Sequence, residues 1–292
     1  MPGSTSWGSR LFDWSNATLL LLFAVSTVLP FIYIIAASLS DPVSLIGKDF
    51  VIFPEKFSLA AYKYIFSTDT LLRSLLASVY ITIVGTFINL LFTALTAYAL
   101  SHQNLDGRRV MMIMIIFVML FEGGMIPSFL IVKSLGLINT YWALFLPSAI
   151  SSFNMIVMRS FFSNLPVELK ESGRIDGCND FGILFRIILP LSMPVLATFA
   201  LFYAVAHWNT FFSAILYIND TKKWPIQVLL NQILIGNKSD VGDVGFDRDY
   251  VLPPPQTVKM AVIVIATMPI MTVYPFLQKH FVKGLMLGSV KG

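Results

Sequence analysis

Long apolar segments separated by short polar stretches recur along the chain. A helix needs about 20 mostly apolar residues to cross the hydrocarbon core of a bilayer. Segments of that kind lie at residues 17–39, 74–100, 110–132, 142–162, 194–216 and 258–278. The pattern therefore predicts an all-α, polytopic membrane protein with six transmembrane helices.

The polar segments suggest the domain organisation. We predict an N-terminal segment at residues 1–16, a transmembrane domain at 17–278 and a C-terminal tail at 279–292. Inside the domain, the longest polar stretches are 163–193 and the aspartate- and proline-rich 217–257, which we interpret as loops on opposite sides. The 20 lysines and arginines divide evenly between the two sides, so the positive-inside rule does not choose the orientation.

Composition supports the membrane class and narrows the chemistry. The 292 residues are 56% hydrophobic and only 12% charged, whereas a soluble domain carries about 25% charged residues. The single cysteine, Cys178, excludes an internal disulfide and a multi-cysteine metal site. We expect no cofactor in this chain and no metal site. The nearest fragment of an ATP-binding phosphate loop, Gly47-Lys48, continues into Asp49, so we expect no ATP to bind through such a loop. We expect no nucleic acid partner, because no basic cluster is long enough.

The stretch "SNLPVELKESGRIDG" at 163–177 predicts a helix of about three turns. Pro166 suits the first helical turn, Ser163 and Asn164 are candidate N-terminal caps, and Gly177 suits the C-terminal end. Ser172, Gly173 and Gly177 leave one face of this helix nearly bare beside Glu171. Because small side chains let another backbone approach closely, we expect a second protein to hold this helix.

A second helix is predicted directly after the first. Asp180 is its candidate cap. We expect one shared face to carry its larger apolar side chains, which are Phe181, Leu184, Phe185 and Ile188.

The residues from Glu171 to Pro190 resemble the "EAA" signature of permease subunits of ABC importers. The signature reads here as Glu171-Ser172-Gly173, Asp176-Gly177 and Leu189-Pro190, with Gly173 where alanine is usual. Four further stretches are similar to the carbohydrate-importer branch, in particular the second permease of maltose and oligosaccharide systems: "AYALSHQNLDGRR", "GLINTYWALFLPSAISSFNMIVMRSFF", "WNTFFSAILYI" and "KHFVKGLMLGSVKG".

The resemblance implies a type I ABC importer permease fold in the bacterial cytoplasmic (inner) membrane, with both termini and loop 163–193 in the cytoplasm. The first helix of this loop would be a coupling helix that docks into a separate ATPase. The implied coupling residues are Glu171, Ser172, Gly173, Asp176 and Gly177, and the implied C-terminal ATPase contacts are Gly288, Ser289 and Lys291.

The resemblance also implies partners. These are a second permease subunit in a heterodimer, an ATPase homodimer that binds ATP and Mg, a periplasmic or lipid-anchored solute-binding protein, the lipid membrane and an oligosaccharide substrate. Closure of the ATPase subunits would move the coupling helix and switch the pathway from inward-facing to outward-facing, a rigid-body alternation between two states.

Five residues inside the predicted spans are candidates for the substrate pathway. They are Glu122, Asn154, Tyr203, Trp208 and Asn209. An ionisable group at membrane depth suggests function, although the Gly-Gly pair after Glu122 also allows a hydrated helix break. Aromatic and amide side chains suit a sugar, but we favour helix packing and a buried hydrogen bond as the explanation of the other four.

Rival functions remain open from the sequence. An ion-coupled secondary transporter would need internal repeats and membrane-buried charges, and only Glu122 and His207 would serve. A polytopic membrane enzyme would need clustered carboxylates or histidines, whereas His102, His207 and His280 lie on different segments. An ABC permease for a solute other than a sugar is a further alternative, and the sequence does not identify the sugar.

Overall fold

The described part of the chain is mostly helical. A computed structural model of the protein describes residues 7–45, 47–48, 50–121, 123–235 and 256–289, with Ile235 and residues 274–289 described by their backbone alone. Within these ranges there is no β-strand, and the one isolated bridge joins Ser40 to Phe57. The all-α expectation is confirmed. The chain divides into two compact units.

The first unit comprises residues 1–69 and 232–267. Its helices are α1 (Trp7–Ser38) and α2 (Ala60–Ser67), together with the first part of the last helix, α14 (Gln256–Ser289). A small apolar cluster holds the unit together, and it contains Ala37, Leu45, Val51, Tyr33 and Met260. Most of α1 is exposed, because its buried residues are confined to Ala36, Ala37 and Ser38 at its C-terminal end.

The second unit comprises residues 70–231 and 268–292. Its longest helix is α3 (Asp69–Ser101), whose first residue is counted with the first unit. The elements that follow are α4 (Arg108–Leu120), α5 (Met125–Ser134), α6 (Trp142–Phe145), α7 (Ser152–Ser163), α8 (Val167–Ile175), α9 (Asp180–Ile183), a π-helical turn (Leu184–Ile188), α10 (Leu189–Leu191), α11 (Met193–Trp208), α12 (Phe212–Tyr217) and α13 (Ile226–Ile235).

Two apolar clusters form the core of the second unit, and α3 contributes to both. One contains Ala97 and Leu100 together with Met155, Phe162 and Ile188. The other contains Ile81, Phe145, Ile218 and Val228. Between helices in a lipid bilayer, packing and hydrogen bonds supply the association energy, since lipid tails are as apolar as leucine. The buried polar side chains of this unit therefore indicate where hydrogen bonds hold its helices together.

Among the described residues, three helical segments are long and apolar enough to cross a membrane: Trp7–Ser38, Asp69–Ser101 and Gln256–Val273. Two bent pairs raise the number to five if each pair is one span. They are Arg108–Leu120 with Met125–Ser134, and Asp180–Leu191 with Met193–Trp208, the second bent by 86°. These five correspond to five of the six predicted segments, and the count of six remains a prediction.

The predicted span at 142–162 is not one continuous helix. The structure divides it into α6 and α7, with Pro147 in the break. The 12 residues of α7 extend about 18 Å, which is shorter than the roughly 30 Å of a hydrocarbon core. In the break, the backbone polar groups of Ser148 and Ser151 form hydrogen bonds with side chains of other helices of the unit, as described below.

The predicted loop 217–257 contains a helix that the sequence reading missed. In α13, Ile226, Val228 and Leu229 are buried, and the Ile226 backbone N–H donates to the Ser78 hydroxyl on α3 over 2.8 Å. The stretch "IQVLLNQILI" is therefore a packed element. Residues 236–255 of the loop lie outside the described ranges. At the other end, the predicted tail continues α14 as far as Ser289.

Candidate functional site

The helix predicted within residues 163–177 is present as α8, although its start differs from the expectation. Pro166 is the N-cap residue with φ −52° and ψ 133°, so it precedes the first turn. Asn164 does not cap α8, because it is the C-cap of α7 and its N–H donates to the carbonyls of Phe161 and Ser160. Ser163 is the last residue of α7.

The end of α8 matches the sequence prediction. Gly177 has φ +80°, a left-handed conformation that glycine adopts without steric cost. The Gly177 N–H donates to the Arg174 carbonyl over 3.0 Å, and the Cys178 N–H donates to the Gly173 carbonyl over 2.9 Å. This pair of bonds is a Schellman motif, which satisfies the last carbonyls of the helix and reverses the chain.

The residues assigned to coupling do not share one face. Glu171, Ser172, Asp176 and Gly177 are exposed, whereas Gly173 is buried. A Cβ atom on Gly173 would lie 2.8 Å from Cδ1 of Ile187 and 3.2 Å from Cγ1 of Ile183. The expectation that Gly173 belongs to an open face was wrong, because the small residue accommodates isoleucines of the same chain.

The exposed surface of α8 and its neighbours is partly apolar. Ile175 is 86% exposed, Phe181 66% and Val167 59%. Val167 and Ile175 lie four residues before and four residues after Glu171 on α8, so these two apolar side chains share the exposed face that carries its carboxylate. The sequence analysis did not identify these residues as possible contacts. The feature that could have revealed them is an apolar residue within a charged stretch of sequence. A surface of this kind suits a partner protein.

Cationic side chains connect α8 to its surroundings. Lys170 Nζ donates to the Phe162 carbonyl near the end of α7 over 3.3 Å. Burial, and then the neighbouring Arg174, lower the pKa of Lys170. Arg174 also pairs with Asp180 at 3.3 Å. Both members of this pair are more than half exposed, so the pair contributes little to stability.

The element after α8 differs in two respects from the prediction. Its cap is Asn179, whose side-chain oxygen accepts from the Gly182 N–H over 2.8 Å, and Asp180 is the first helical residue. The predicted apolar face was also wrong, because Phe181 and Phe185 are exposed while Ile183, Leu184 and Ile188 are buried. A π-helical turn at Leu184–Ile188 changes the residue spacing that an α-helix would give.

The pathway candidate Tyr203 lies in the interior of the second unit. Its hydroxyl is 2.7 Å from the Thr93 hydroxyl and 3.4 Å from the Ser151 backbone N–H, which donates to it. The Ser151 hydroxyl in turn accepts from the backbone N–H of the buried Asn154 and caps α7. Tyr203 therefore joins α3 and α11 to the start of α7, which agrees with a packing role.

A second polar group lies one turn away on the same two helices. The Asn89 side chain donates to the Ser148 carbonyl over 2.8 Å and accepts from His207 Nε2 over 3.2 Å. The His207 ring lies so close to α3 that a Cβ atom on Gly85 would be 2.5 Å from Nε2. Sequence reasoning missed Asn89 and Thr93, which are four residues apart on one side of an apolar helix.

The other pathway candidates lie in different surroundings. Trp208 is buried and lines an apolar cavity of about 170 Å³ between α3, α11 and residues 269–273 of α14. Asn209 is exposed, and its side chain donates to the Val205 carbonyl of its own helix over 2.8 Å. The structure does not bring Tyr203, Trp208 and Asn209 together around one opening.

Several predicted residues fall partly or wholly outside the described residues. Glu122 and Lys291 lie outside them. Gly288 and Ser289 are the final residues of α14, which is described there by its backbone. In the described part of the chain, no three histidine, cysteine or acidic side chains are placed to hold a metal ion.

Comparison with known proteins gives consistent matches over nearly the whole chain. The family described as "Binding-protein-dependent transport system inner membrane component" matches residues 58–286. The polygalacturonan/rhamnogalacturonan transport system permease protein YtcP of Bacillus subtilis (strain 168) is 55% identical over 97% of this chain and 99% of its own length. Protein LplC of the same organism is 54% identical over 97% of this chain and 96% of its own.

A solved structure extends the comparison to three dimensions. The chain is similar to one from the crystal structure of a bacterial ABC transporter involved in the import of the acidic polysaccharide alginate. The TM-score is 0.88 at 32% sequence identity, and the match covers 96% of this chain and 100% of that one.

Proposed function

Since the chain belongs to the family of inner membrane components of binding-protein-dependent transport systems, we propose that it is the permease subunit of an ATP-driven importer of oligosaccharides. The observation that carries this proposal is α8. It presents Glu171 and Ile175 outward, while its buried Gly173 contacts the segment that leads into α11. A motion applied to the exposed face would therefore reach α11.

The proposed topology has six spans, with loop 163–193 and both termini in the cytoplasm of a bacterial cell. The chain forms half of the translocation pathway, and a second permease forms the other half. A homodimer of ATPase subunits binds ATP and Mg, and a periplasmic or lipid-anchored protein delivers the substrate. The chain itself has no catalytic role and no cofactor in this proposal.

The proposed coupling contact is the exposed part of α8. Glu171 pairs with a basic group of the ATPase, Ser172 allows close approach, and Ile175 and Val167 enter an apolar cleft. Asp176 and Gly177 fix the end of the helix, and Gly173 acts from inside the permease. The tail residues Gly288, Ser289 and Lys291 contact the ATPase subunits.

The proposed substrate is an oligosaccharide released from an acidic polysaccharide. Support comes from two names, polygalacturonan/rhamnogalacturonan for YtcP and alginate for the structural neighbour. No lysine or arginine is among the buried residues in the described part of the chain. In this proposal the binding protein or the second permease recognises the carboxylates.

Uptake by the reconstituted importer tests the proposal. Proteoliposomes with both permeases, the ATPase and the binding protein should accumulate labelled oligogalacturonide when ATP is enclosed, and vanadate should stop accumulation. A neutral maltooligosaccharide is the control for the acidic substrate. Uptake by this chain alone, driven by an ion gradient and insensitive to vanadate, would instead establish a secondary transporter.

A further inference from the structure

The C-terminal ends of α3 and α7 are held by cationic side chains from other elements. The last carbonyls of a helix have no partner within that helix, and the helix dipole favours positive charge there. The Leu100 carbonyl, one residue before the end of α3, accepts from Arg159 Nε of α7 and from Arg108 Nε of α4, each over 3.0 Å. The Phe162 carbonyl, one residue before the end of α7, accepts from Lys170 Nζ of α8 over 3.3 Å. Three bonds thus connect α8 to α7, α7 to α3 and α4 to α3.

These bonds differ from an ordinary helix cap in what they connect. A local backbone motif can satisfy the end of a helix without any charge, and α8 itself ends in this way at Gly177. At the ends of α3 and α7, half-buried cations supply the hydrogen bonds instead. Removing a cation from water is costly, and burial lowers the pKa of Lys170. What the cations add over a local motif is a link between separate elements.

The apolar core follows the same route as these bonds. Phe162 and Met158 of α7 are fully buried and belong to one cluster with Leu100 of α3. Ile183 belongs to this cluster too, and its Cγ1 would lie 3.2 Å from a Cβ atom on Gly173 of α8. Close-packed protein interiors have low compressibility and transmit strain. A displacement of α8 is therefore passed to α7 and α3 through packing as well as through the three bonds.

The start of α7 is also bonded to α3. The Ser151 N–H donates to the Tyr203 hydroxyl over 3.4 Å, and that hydroxyl lies 2.7 Å from the Thr93 hydroxyl of α3. The Ser148 carbonyl, in the break before α7, accepts from the Asn89 side chain of α3 over 2.8 Å. Since α7 is held on α3 at both of its ends, the two helices move together.

We infer that Arg159 and Lys170 are positioning residues of the importer: they join α8, α7 and α3 into one body, so that a displacement of α8 moves α3. The inference rests on the proposed function, in which an ATPase displaces α8. Arg108 extends the same body to α4. Because α3 contributes to both apolar clusters of the second unit, its movement also reaches the cluster around Ile81 and Phe145.

The amount of oligosaccharide taken up per ATP hydrolysed tests this role. The complete importer is reconstituted in proteoliposomes with enclosed ATP, and uptake of labelled oligogalacturonide and formation of inorganic phosphate are measured in the same sample. Arg159→Gln and Lys170→Met should each lower the ratio of uptake to hydrolysis by about threefold or more, since residues along a coupling network change the coupling by factors of this size. Arg159→Lys keeps a cationic donor for the Leu100 carbonyl and should recover part of the ratio.

A purely structural role of the two residues would give a different result. Loss of folded complex lowers uptake and hydrolysis in proportion, so a ratio at the wild-type value together with a lower melting temperature would overturn the inference. Arg109→Gln is the matched control, because Arg109 is exposed beside Arg108 and carries the same charge. Its ratio should equal that of the wild type, and an equal fall in this control would also overturn the inference.

The wild-type importer separates the two levels of the argument. If it takes up no oligogalacturonide with enclosed ATP, the proposed function fails and this inference fails with it. If the wild type couples uptake to hydrolysis and the Arg159 and Lys170 variants do so equally well, only the positioning role fails, and the permease function stands.

Discussion

Gly173 lies directly beneath Ile187, so close that a Cβ atom on the glycine would be 2.8 Å from Cδ1 of the isoleucine. The contact joins α8 to the π-helical turn Leu184–Ile188. It explains why the position carries the smallest residue although glycine weakens a helix by about 1 kcal/mol relative to alanine. The glycine determines how closely the proposed coupling helix packs on the rest of the permease.

Gly173→Ala should lower the stability of the permease by about 1 kcal/mol. The gain in helix propensity is about 1 kcal/mol, and the added methyl group causes overpacking that costs about 1–3 kcal/mol. Ile187→Val removes the clashing Cδ1, so Gly173→Ala should destabilise a protein that already carries Ile187→Val less than it destabilises the wild type. The measurement is a double-mutant cycle from unfolding in detergent. Gly123→Ala, where nothing lies within 4 Å, is the control, and additive effects of the two substitutions would refute the contact.

Glu171→Lys should abolish ATP-dependent uptake while the chain still inserts and assembles with its partner permease. Glu171 is exposed, so the reversed charge has little effect on folding, but it would repel a basic group on the ATPase. Glu168→Lys, one turn earlier and also exposed, is the matched control and should retain most of the activity. Normal uptake in the Glu171→Lys importer would contradict the coupling role.

Tyr203→Phe should destabilise the second unit by about 1 kcal/mol without changing the KM for the substrate. The substitution removes the hydroxyl that bonds Thr93 and accepts from the Ser151 N–H, and such bonds contribute about 1 kcal/mol inside a membrane protein. Tyr80→Phe, at a half-exposed tyrosine in aromatic contact with Tyr141, is the control. A raised KM with unchanged thermal stability would instead place Tyr203 in the sugar pathway.

Gly85→Ala should lower the stability by about 1 kcal/mol, because overpacking costs about 1–3 kcal/mol and the gain in helix propensity offsets about 1 kcal/mol of that cost. The new Cβ atom would be 2.5 Å from His207 Nε2, and the ring cannot move away without losing its hydrogen bond to Asn89. Thermal unfolding of the purified complex measures the loss. If Gly85→Ala is as stable as Gly123→Ala, α11 does not approach α3 as closely as described.

Deletion of residues 288–292 should slow ATP turnover without preventing assembly, because the proposed C-terminal contact with the ATPase subunits would be lost. ATP hydrolysis by the reconstituted importer is the measurement, and co-purification of the partner subunits is the control for assembly. Unchanged turnover would remove Gly288, Ser289 and Lys291 from the proposed contact.

The sequence predicted the features that depend on neighbouring residues. The end of α8 at Gly177 is one example, because a Schellman motif needs only a glycine at the right distance from the last turn. The long apolar segments in α1, α3 and α14 are another. In both cases the residues that determine the feature are the residues that form it or their immediate neighbours in the sequence.

The features that depend on distant residues were not predictable in this way. Gly173 is buried because Ile187 folds back over it, and the sequence does not show that contact. The break between α6 and α7 is stabilised by Asn89 and Tyr203, which lie far away along the chain. The ten residues of α13 are too few for a span, and a short apolar run does not show whether it is a loop or a packed helix.

The exposure of α1 has a consequence for work with the purified subunit. Its 32 residues bury only three side chains within the chain, so its position depends on surroundings that the polypeptide does not provide. When the subunit is expressed without its partner subunits and extracted into detergent, the apolar surface of α1 would be left without a protein partner, and the subunit would self-associate. Co-production with the neighbouring subunits is therefore the practical route to a homogeneous sample.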